Sequence, residues 1–322
     1  MKKSTKIALI VAGVCILLGV ILFAGAYYLL SWDIGAPGSD AYVTETVEIK
    51  EDFTDILIET NADNLTFMAS DDKRCRVEFY DKEEREHSAA VNNKTLEIDS
   101  TEPGDWFEGF SLFSFGSPKI TVYLPKESYG ALTVSAVTGD TLIPDDFTFD
   151  SIDITGATGE VTCLASSKNA TDIALSTGKI KLMDTSAKSY DLSVTTGDIL
   201  VYTATCKNEM KLGASTGDAL LQDVECGSLR SDGTTGDIEL TRVIAKKDLI
   251  IERTTGDVEF ESCDASDINF KTSTGDVTGT LTSEKTFTTD TSTGDVRVPQ
   301  SASGGKCDIS TTTGDIVIDI EK

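Results

Sequence analysis

From about residue 131 onward apolar and polar positions alternate by twos, and one short corner interrupts the alternation again and again. Apolar residues stand seven, five and often three places before a glycine, as in Leu132, Val134 and Ala136, or Tyr190, Leu192 and Val194. They resume two and four places after it, as in Ile199 and Val201, Ala219 and Leu221, Ile238 and Leu240, or Val258 and Phe260. A period of two marks a strand with one buried face, whereas an amphipathic helix would repeat near 3.6. Thr, Ser, Gly and Asp crowd the same windows and few helix formers remain. The pattern therefore predicts strand, corner, strand, and then a looser return rich in Ser, Thr and Lys, such as SASGGK.

The corner is Thr-Gly, most often followed by Asp. Its glycines fall at 139, 159, 178, 197, 217, 236, 256, 275, 294 and 314, always 19 or 20 residues apart. One unit cannot bury its own apolar face, but stacked units pair strand on strand in parallel and enclose a continuous core. The expected fold is all-β, a single-chain β-solenoid of about ten 19–20 residue coils over 131–322. Its structural corners are Thr196-Gly197, Thr216-Gly217, Thr235-Gly236, Thr255-Gly256, Thr274-Gly275, Thr293-Gly294 and Thr313-Gly314, with the threonine sharing the parity of the buried positions. The calcium-binding G-G-x-G-x-D pattern is absent, which argues against a toxin-type metal solenoid.

Stacking would set Asp198, Asp218, Asp237, Asp257, Asp276, Asp295 and Asp315 in one file, in that order. Neighbouring charges about 5 Å apart in water repel by ~0.8 kcal/mol, so six unscreened pairs would cost about 5 kcal/mol. Two arrangements relieve this. In the first, the file is a building joint: side chains splay into salt and each Asp bonds corner backbone. In the second, weakly held divalent cations sit along it. The joint is preferred, because calcium gathers 6–8 oxygens and a function rarely needs seven identical sites. Glu160 and Lys179 take the same place in earlier coils, so no single charge is required there.

Before the repeats the chain reads differently. Ile7 to Leu30 is a run of 24 residues without a charge, long enough to span a bilayer at ~1.5 Å per residue. Lys2, Lys3 and Lys6 precede it and favour a cytoplasmic N-terminus, with the rest of the chain outside the plasma membrane. A cleaved signal peptide ending near Ala24-Gly25-Ala26 is the competing reading, disfavoured because the apolar run continues past that site. The expected organisation is a basic tail at 1–6, a transmembrane helix at 7–30, a linker at 31–42, an N-terminal β region and cap at 43–130, and the solenoid at 131–322.

Charge narrows the partners. The chain carries 28 basic and 54 acidic residues, a net charge of −26, and the part after the apolar run keeps 25 against 54, or −29. Such a surface disfavours nucleic acid and anionic headgroups as partners. An envelope protein or glycan stays open, and divalent cations would bind only weakly. No cofactor motif stands out.

Catalytic chemistry finds little footing. The single histidine, His87, lies in DKEEREHSAA and reads as a solvated side chain. Carboxylates are plentiful, and parallel β-helices do host polysaccharide lyases and hydrolases with paired acids, but here the acids are periodic rather than clustered. Cys206 and Cys226 both stand nine places after their glycines and should stack in adjacent coils, within reach of a disulfide, though two small buried thiols are preferred. The least repetitive stretch, DWFEGFSLFSFGS, holds Trp106, Phe107, Phe110, Phe113 and Phe115. Either it folds back as a cap over the open core or it is an exposed aromatic contact.

The run KITVYLPKESYGALTVSAVTGD, followed by serial TGDI and TGDV units, resembles the putative-adhesin β-solenoid family of bacterial envelope proteins, a domain of unknown function. The resemblance covers roughly residues 43–322. It implies a single-span, surface-facing solenoid linked to adhesion or envelope-stress signalling, and it transfers no catalytic residue. The expected function is a membrane-anchored, non-catalytic adhesion or envelope-sensing module, with a polysaccharide-acting β-helix enzyme as the alternative.

Overall fold

The computed structural model describes residues 42–83, 85–101, 117–301 and 303–321. The apolar run 7–30 and the aromatic residues Trp106, Phe107, Phe110, Phe113 and Phe115 lie outside the described residues. Among the described residues every regular element is a strand, and no helix is long and apolar enough to cross a membrane.

The strands wind into a parallel β-solenoid. Ten Thr-Gly corners stack on one another, giving nine turns between the first and the last. Each coil has three sides. The first ends at the glycine corner, and its residues at minus seven, minus five and usually minus three point inward, as Tyr190, Leu192 and Val194 do. The second side buries the residues at plus two and plus four, such as Ile199 and Val201. A second corner follows at plus six, where Asp184, Thr203, Asp223, Arg242 and Ser262 all hold φ between 52° and 57°. The third side then buries plus seven and plus nine, for example Val224 and Cys226. The step of three from plus four to plus seven is the sequence signal of that second corner, since a single strand would have kept steps of two.

One expectation at the first corner fails. Thr196, Thr216, Thr235, Thr255, Thr274, Thr293 and Thr313 are all exposed. The chain has already begun to turn at these residues, so strand parity stops three places before the glycine and the threonine swings out to solvent.

At the N-terminal end the strands are β1 (Tyr42–Ile49), β2 (Asp55–Thr60), β3 (Asn64–Ala69), β4 (Cys75–Lys82), β5 (Ser88–Asn92), β6 (Thr95–Ser100), β7 (Lys119–Leu124), β8 (Ser128–Thr138) and β9 (Thr141–Ile143). The coil formed by β2 and β3 lies between β6 and β7 on one side and β8 and β9 on the other, all parallel. Outside that, β5 pairs antiparallel with β6, β4 with β7 and β1 with β4. Antiparallel strands thus close an edge that would otherwise template further coils.

The C-terminal end departs from sequence order. Gly305–Thr313 pairs with Val258–Lys271 on one side and Lys285–Thr293 on the other, while Ile316–Ile320 lies between Val277–Leu281 and Val296–Arg297. The last coil is therefore wedged inside the one before it. Its inward residues Cys307, Ile309, Ile316 and Ile318 are buried, whereas Phe287, Thr289, Thr291 and Val298 of the displaced coil are only partly covered. Placing the more apolar coil inside and the threonine-rich one outside buries more hydrocarbon and leaves a polar end. The file of corner aspartates consequently runs Asp276, Asp315, Asp295, a correction to the order expected from the repeat.

Candidate functional site

Three arrangements could carry function: the glycine-aspartate corner, a trough on the side that precedes it, and a buried ionic cluster near the N-terminal end. At the corner, each glycine has φ between 126° and 149°, and a Cβ on it would collide with the corner carbonyl of an adjacent coil, that of Asp63 for Gly139 and that of a glycine for the others. Only glycine lets the backbones approach this closely. The aspartates then form a ladder. Asp198 Oδ1 accepts the Asp218 backbone N–H at 3.2 Å, and Asp218, Asp237 and Asp257 do the same for Asp237, Asp257 and Asp276 at 2.8–2.9 Å. The ladder continues from Asp276 to Asp315 at 2.7 Å and from Asp315 to Asp295 at 2.8 Å.

The same contact forms with asparagine as the acceptor, and with glutamate as the residue whose N–H donates. Asn64 Oδ1 accepts the Asp140 N–H at 2.9 Å, and Asp140 Oδ1 accepts that of Glu160 at 2.8 Å. Two cations temper the charge: Lys179 Nζ lies 3.4 Å from Asp198 Oδ2, and the guanidinium of Arg253 is buried nearby. Burial pulls the Arg253 pKa down, and the carboxylates of Asp232, Asp218 and Asp237 push it back up. Arg253 fills space left by Gly233, where an added Cβ would meet its Nη1, and its Nη2 donates to Ser231 Oγ at 3.0 Å.

The ladder makes a sharp expectation. Asp237→Asn with Asp257→Asn keeps both acceptors, as Asn64 does, and removes two like charges, so the melting temperature should hold or rise slightly at low salt. The corresponding alanines lose the acceptor and should each cost about 1 kcal/mol. Thermal melts with and without calcium check this. A loss in the asparagine pair seen only with calcium would instead assign the file to cations.

The trough lies on the first side of the coil, over the backbone four to two places before the glycines. Two adjoining hollows of about 470 and 390 Å³ share Leu175, Ser193 and Thr195 and run from the coil of Ser135 to that of Thr234. Their walls are mostly small or hydroxylated, including Thr155, Gly156, Ser176, Gly213 and Ser215, with Val137, Leu175 and Val194 as the larger apolar residues, and among the described residues Asp232 is the only charged one that lines them. Gly213 keeps it open, with nothing nearer than Ser193 Cβ at 3.7 Å to an added Cβ, whereas Leu175 and Arg253 fill the space beside Gly156 and Gly233. Nothing in the sequence marks these positions, because outward-facing Ser, Thr and Gly look the same whether they line a trough or a flat face.

The ionic cluster gathers around Ser100 at the C-terminal end of β6. Asp63 Oδ2 accepts from Thr60 Oγ1 at 2.6 Å and Ser100 Oγ at 2.8 Å. Arg85 bridges Asp63 and Asp81 through Nη1, and its Nη2 donates to the Ser100 carbonyl at 3.0 Å. His87 is part of this group and is not solvated: its side chain is 3% exposed, stacked on Phe79 at 4.6 Å. Residues 85, 87 and 89 take the inner parity of this stretch and send Glu86 and Ser88 outward, which reverses the expectation drawn from its charged neighbours. His87 Nδ1 is 3.1 Å from Ser100 Oγ and Nε2 is 3.5 Å from Asp81 Oδ2. The sequence of groups imitates a nucleophile, base and acid, but Ser100 is 1% exposed and its hydroxyl is spent on Asp63. As it stands, no substrate atom can reach it.

The cysteines are equally withdrawn. Cys206 and Cys226 occupy adjacent coils as free thiols, and burial pushes the thiols of Cys163, Cys226 and Cys307 up to about 12. They stay protonated at neutral pH and are poor nucleophiles.

Comparison with known proteins agrees with this architecture. A crystal structure from Parabacteroides distasonis, described as a putative adhesin, has a TM-score of 0.50 at 14% identity, covering 84% of this chain and 96% of that one. A second, from Bacteroides fragilis and also described as a putative adhesin, has a TM-score of 0.47 at 13% identity, covering 88% and 100%. At 14% identity the first of these likenesses is one of fold. No curated protein matches the chain. The family described as Toastrack DUF4097 matches residues 53–243 and 204–322, the whole of the coiled region, and the chain belongs to that family.

Proposed function

We propose that the protein is a non-catalytic adhesion or envelope-interaction module, anchored through residues 7–30 with its N-terminus in the cytoplasm and its solenoid displayed outside. The observation that carries this reading is the trough: a continuous, nearly uncharged run of hydroxyls and small residues crossing successive coils on an otherwise acidic molecule. Such a surface suits an extended neutral ligand such as a glycan chain, laid along the stack and held by many weak hydrogen bonds. The buried cluster at Asp63, Asp81 and His87 and the protonated thiols support a role without chemistry. The Parabacteroides distasonis protein of the same fold is described as a putative adhesin, and adhesion is the role carried over here.

Ser193→Tyr with Ser215→Tyr would obstruct the trough from outward positions without touching the core. Cells producing this variant should bind surfaces coated with purified envelope glycan at least several-fold less than cells producing the wild type, at equal protein level and melting temperature. Release of reducing ends from those glycans by the purified protein would sink the non-catalytic reading in favour of a polysaccharide-acting enzyme. Protease added to intact, wall-stripped cells should remove the solenoid and leave a small membrane fragment.

A further inference from the structure

The third corner of the coil, opposite in charge to the first, carries a file of lysines. Ala187 pairs with Cys206 across adjacent coils, and the residues that follow, Lys188 and Lys207, are stacked directly: the Lys207 N–H donates to the Ala187 carbonyl at 3.3 Å and the Asn208 N–H to that of Lys188 at 2.8 Å. In the coil before, Lys168 also lines this file but stands one place out of register, since the Lys188 N–H donates to the Asn169 carbonyl at 2.7 Å; Gly227 holds the place in the coil after, and Lys246 in the one beyond that. Four lysines thus occupy five consecutive levels, spanning roughly 19 Å at ~4.8 Å per level. All four side chains are exposed.

They line a groove of about 480 Å³ together with hydroxyls such as Ser186 and Thr205, and among the described residues Glu225 is the only acidic one that lines it. Lys168 is engaged by Asp150 at 2.8 Å and Lys188 by the Asn169 side chain at 2.7 Å, while Lys207 and Lys246 make no ion pair among the described residues. On a chain with a net charge of −26, a single-file cationic groove is an inversion of the surface rather than its average.

We infer that this groove binds a linear phosphate-bearing polymer, laid along the stack with successive anionic groups meeting successive lysines. Lysine ammonium groups act as compact point charges toward phosphate, and the planar, bidentate geometry that arginine brings to carboxylates is missing, since no arginine lines the groove. No aromatic side chain among the described residues lines it either, so none of them would stack a nucleobase there. A concave strip one lysine wide fits a chain better than the flat surface of a bilayer. The groove lies on a different corner from the neutral trough, and the inference does not depend on the adhesion reading.

The test measures binding of fluorescently labelled linear polyphosphate, about fifteen phosphates long, to the full-length chain in neutral detergent. The wild type should bind it at least a hundredfold more tightly than orthophosphate. Its logarithmic salt dependence should have a slope near −2 to −3, as expected for roughly three or four neutralised phosphates on a flexible chain. Lys188→Glu with Lys207→Glu should weaken binding tenfold or more, and Lys188→Gln with Lys207→Gln should give a smaller loss in the same direction. Lys50→Glu with Lys271→Glu makes the same change in net charge at exposed positions outside the groove and should leave affinity within about threefold. Equal losses in the two charge-reversed pairs would reduce the effect to overall charge and overturn the proposal. It would also fall if orthophosphate bound as tightly as the polymer, if an unstructured RNA oligomer bound more tightly, or if phosphatidylglycerol nanodiscs bound through the groove while polyphosphate did not compete.

Discussion

Gly236→Ala should cost the solenoid more than about 3 kcal/mol, while Gly213→Ala, one coil earlier and a few residues before its corner, should be neutral or stabilising. Gly236 holds φ at +126°, and an ideal Cβ there would stand 2.1 Å from the Gly217 carbonyl oxygen and 2.6 Å from its carbon. The obstacle is backbone. It cannot swing aside, because the Gly217 N–H donates to the Thr235 carbonyl at 2.9 Å and the Gly236 N–H to that of Thr255 at 3.1 Å, which pins the corner on both sides. Positive-φ strain alone costs about 1–3 kcal/mol, and the forced separation of coils adds to it. Against a typical domain stability of roughly 5–15 kcal/mol this is a large fraction.

Because each coil touches only its neighbours, the damage should also be local, and the denaturant transition of Gly236→Ala should separate into two. At Gly213 the same methyl meets only Ser193 Cβ at 3.7 Å, an ordinary contact, and reduced freedom in the unfolded chain would stabilise by about 0.4–1 kcal/mol. Guanidinium melts of the two variants decide the matter. A Gly236→Ala protein that unfolds with the wild type would show that the corner tolerates wider spacing than its geometry implies.

The second large effect comes from the wedged C-terminal coil. Ile316 and Val296 both stand two places after a Thr-Gly glycine, and in a solenoid stacked in sequence order the later one would be nearer the end. In the structure Ile316 is 0% exposed and Val296 is 44% exposed. Ile316→Ala should therefore cost about 2–5 kcal/mol, as for any internal core position, and Val296→Ala should stay within about 0.5 kcal/mol of the wild type. Measuring both by urea denaturation tests the strand order itself: a larger loss at Val296 than at Ile316 would restore the sequential stack. The same topology predicts that removing residues 298–322 takes out an internal layer, so the truncated chain should lose more than one end coil's share of stability.

Much of this molecule could be read before its structure. The glycine spacing and the alternation of Leu192, Val194, Ile199 and Val201 yield parallel coils, because the period of two and the repeat of 19–20 residues are both local consequences of strand geometry and stacking. The corner glycines are likewise visible, since close approach of stacked backbones leaves glycine as the only choice. The second corner was legible only as a missed step in parity, because Asp, Thr and Arg reach positive φ there without glycine to mark it.

What sequence alone could not decide depends on which coil ends up beside which. The repeat makes every coil an equivalent partner for every other, so the inward burial of Ile309 and Ile318 against the half-covered Thr289 and Val298 selects the wedged order only when all the layers compete for the interior. His87 carries the same lesson at the other end: its charged neighbours suggested solvent, and only the folding of its stretch over Phe79 and against Asp81 buries it. The lysine groove too is assembled from residues about 20 positions apart, each unremarkable by itself. Local chemistry determined the coil, and the long-range contest for apolar contact determined the order of coils and the surfaces they present.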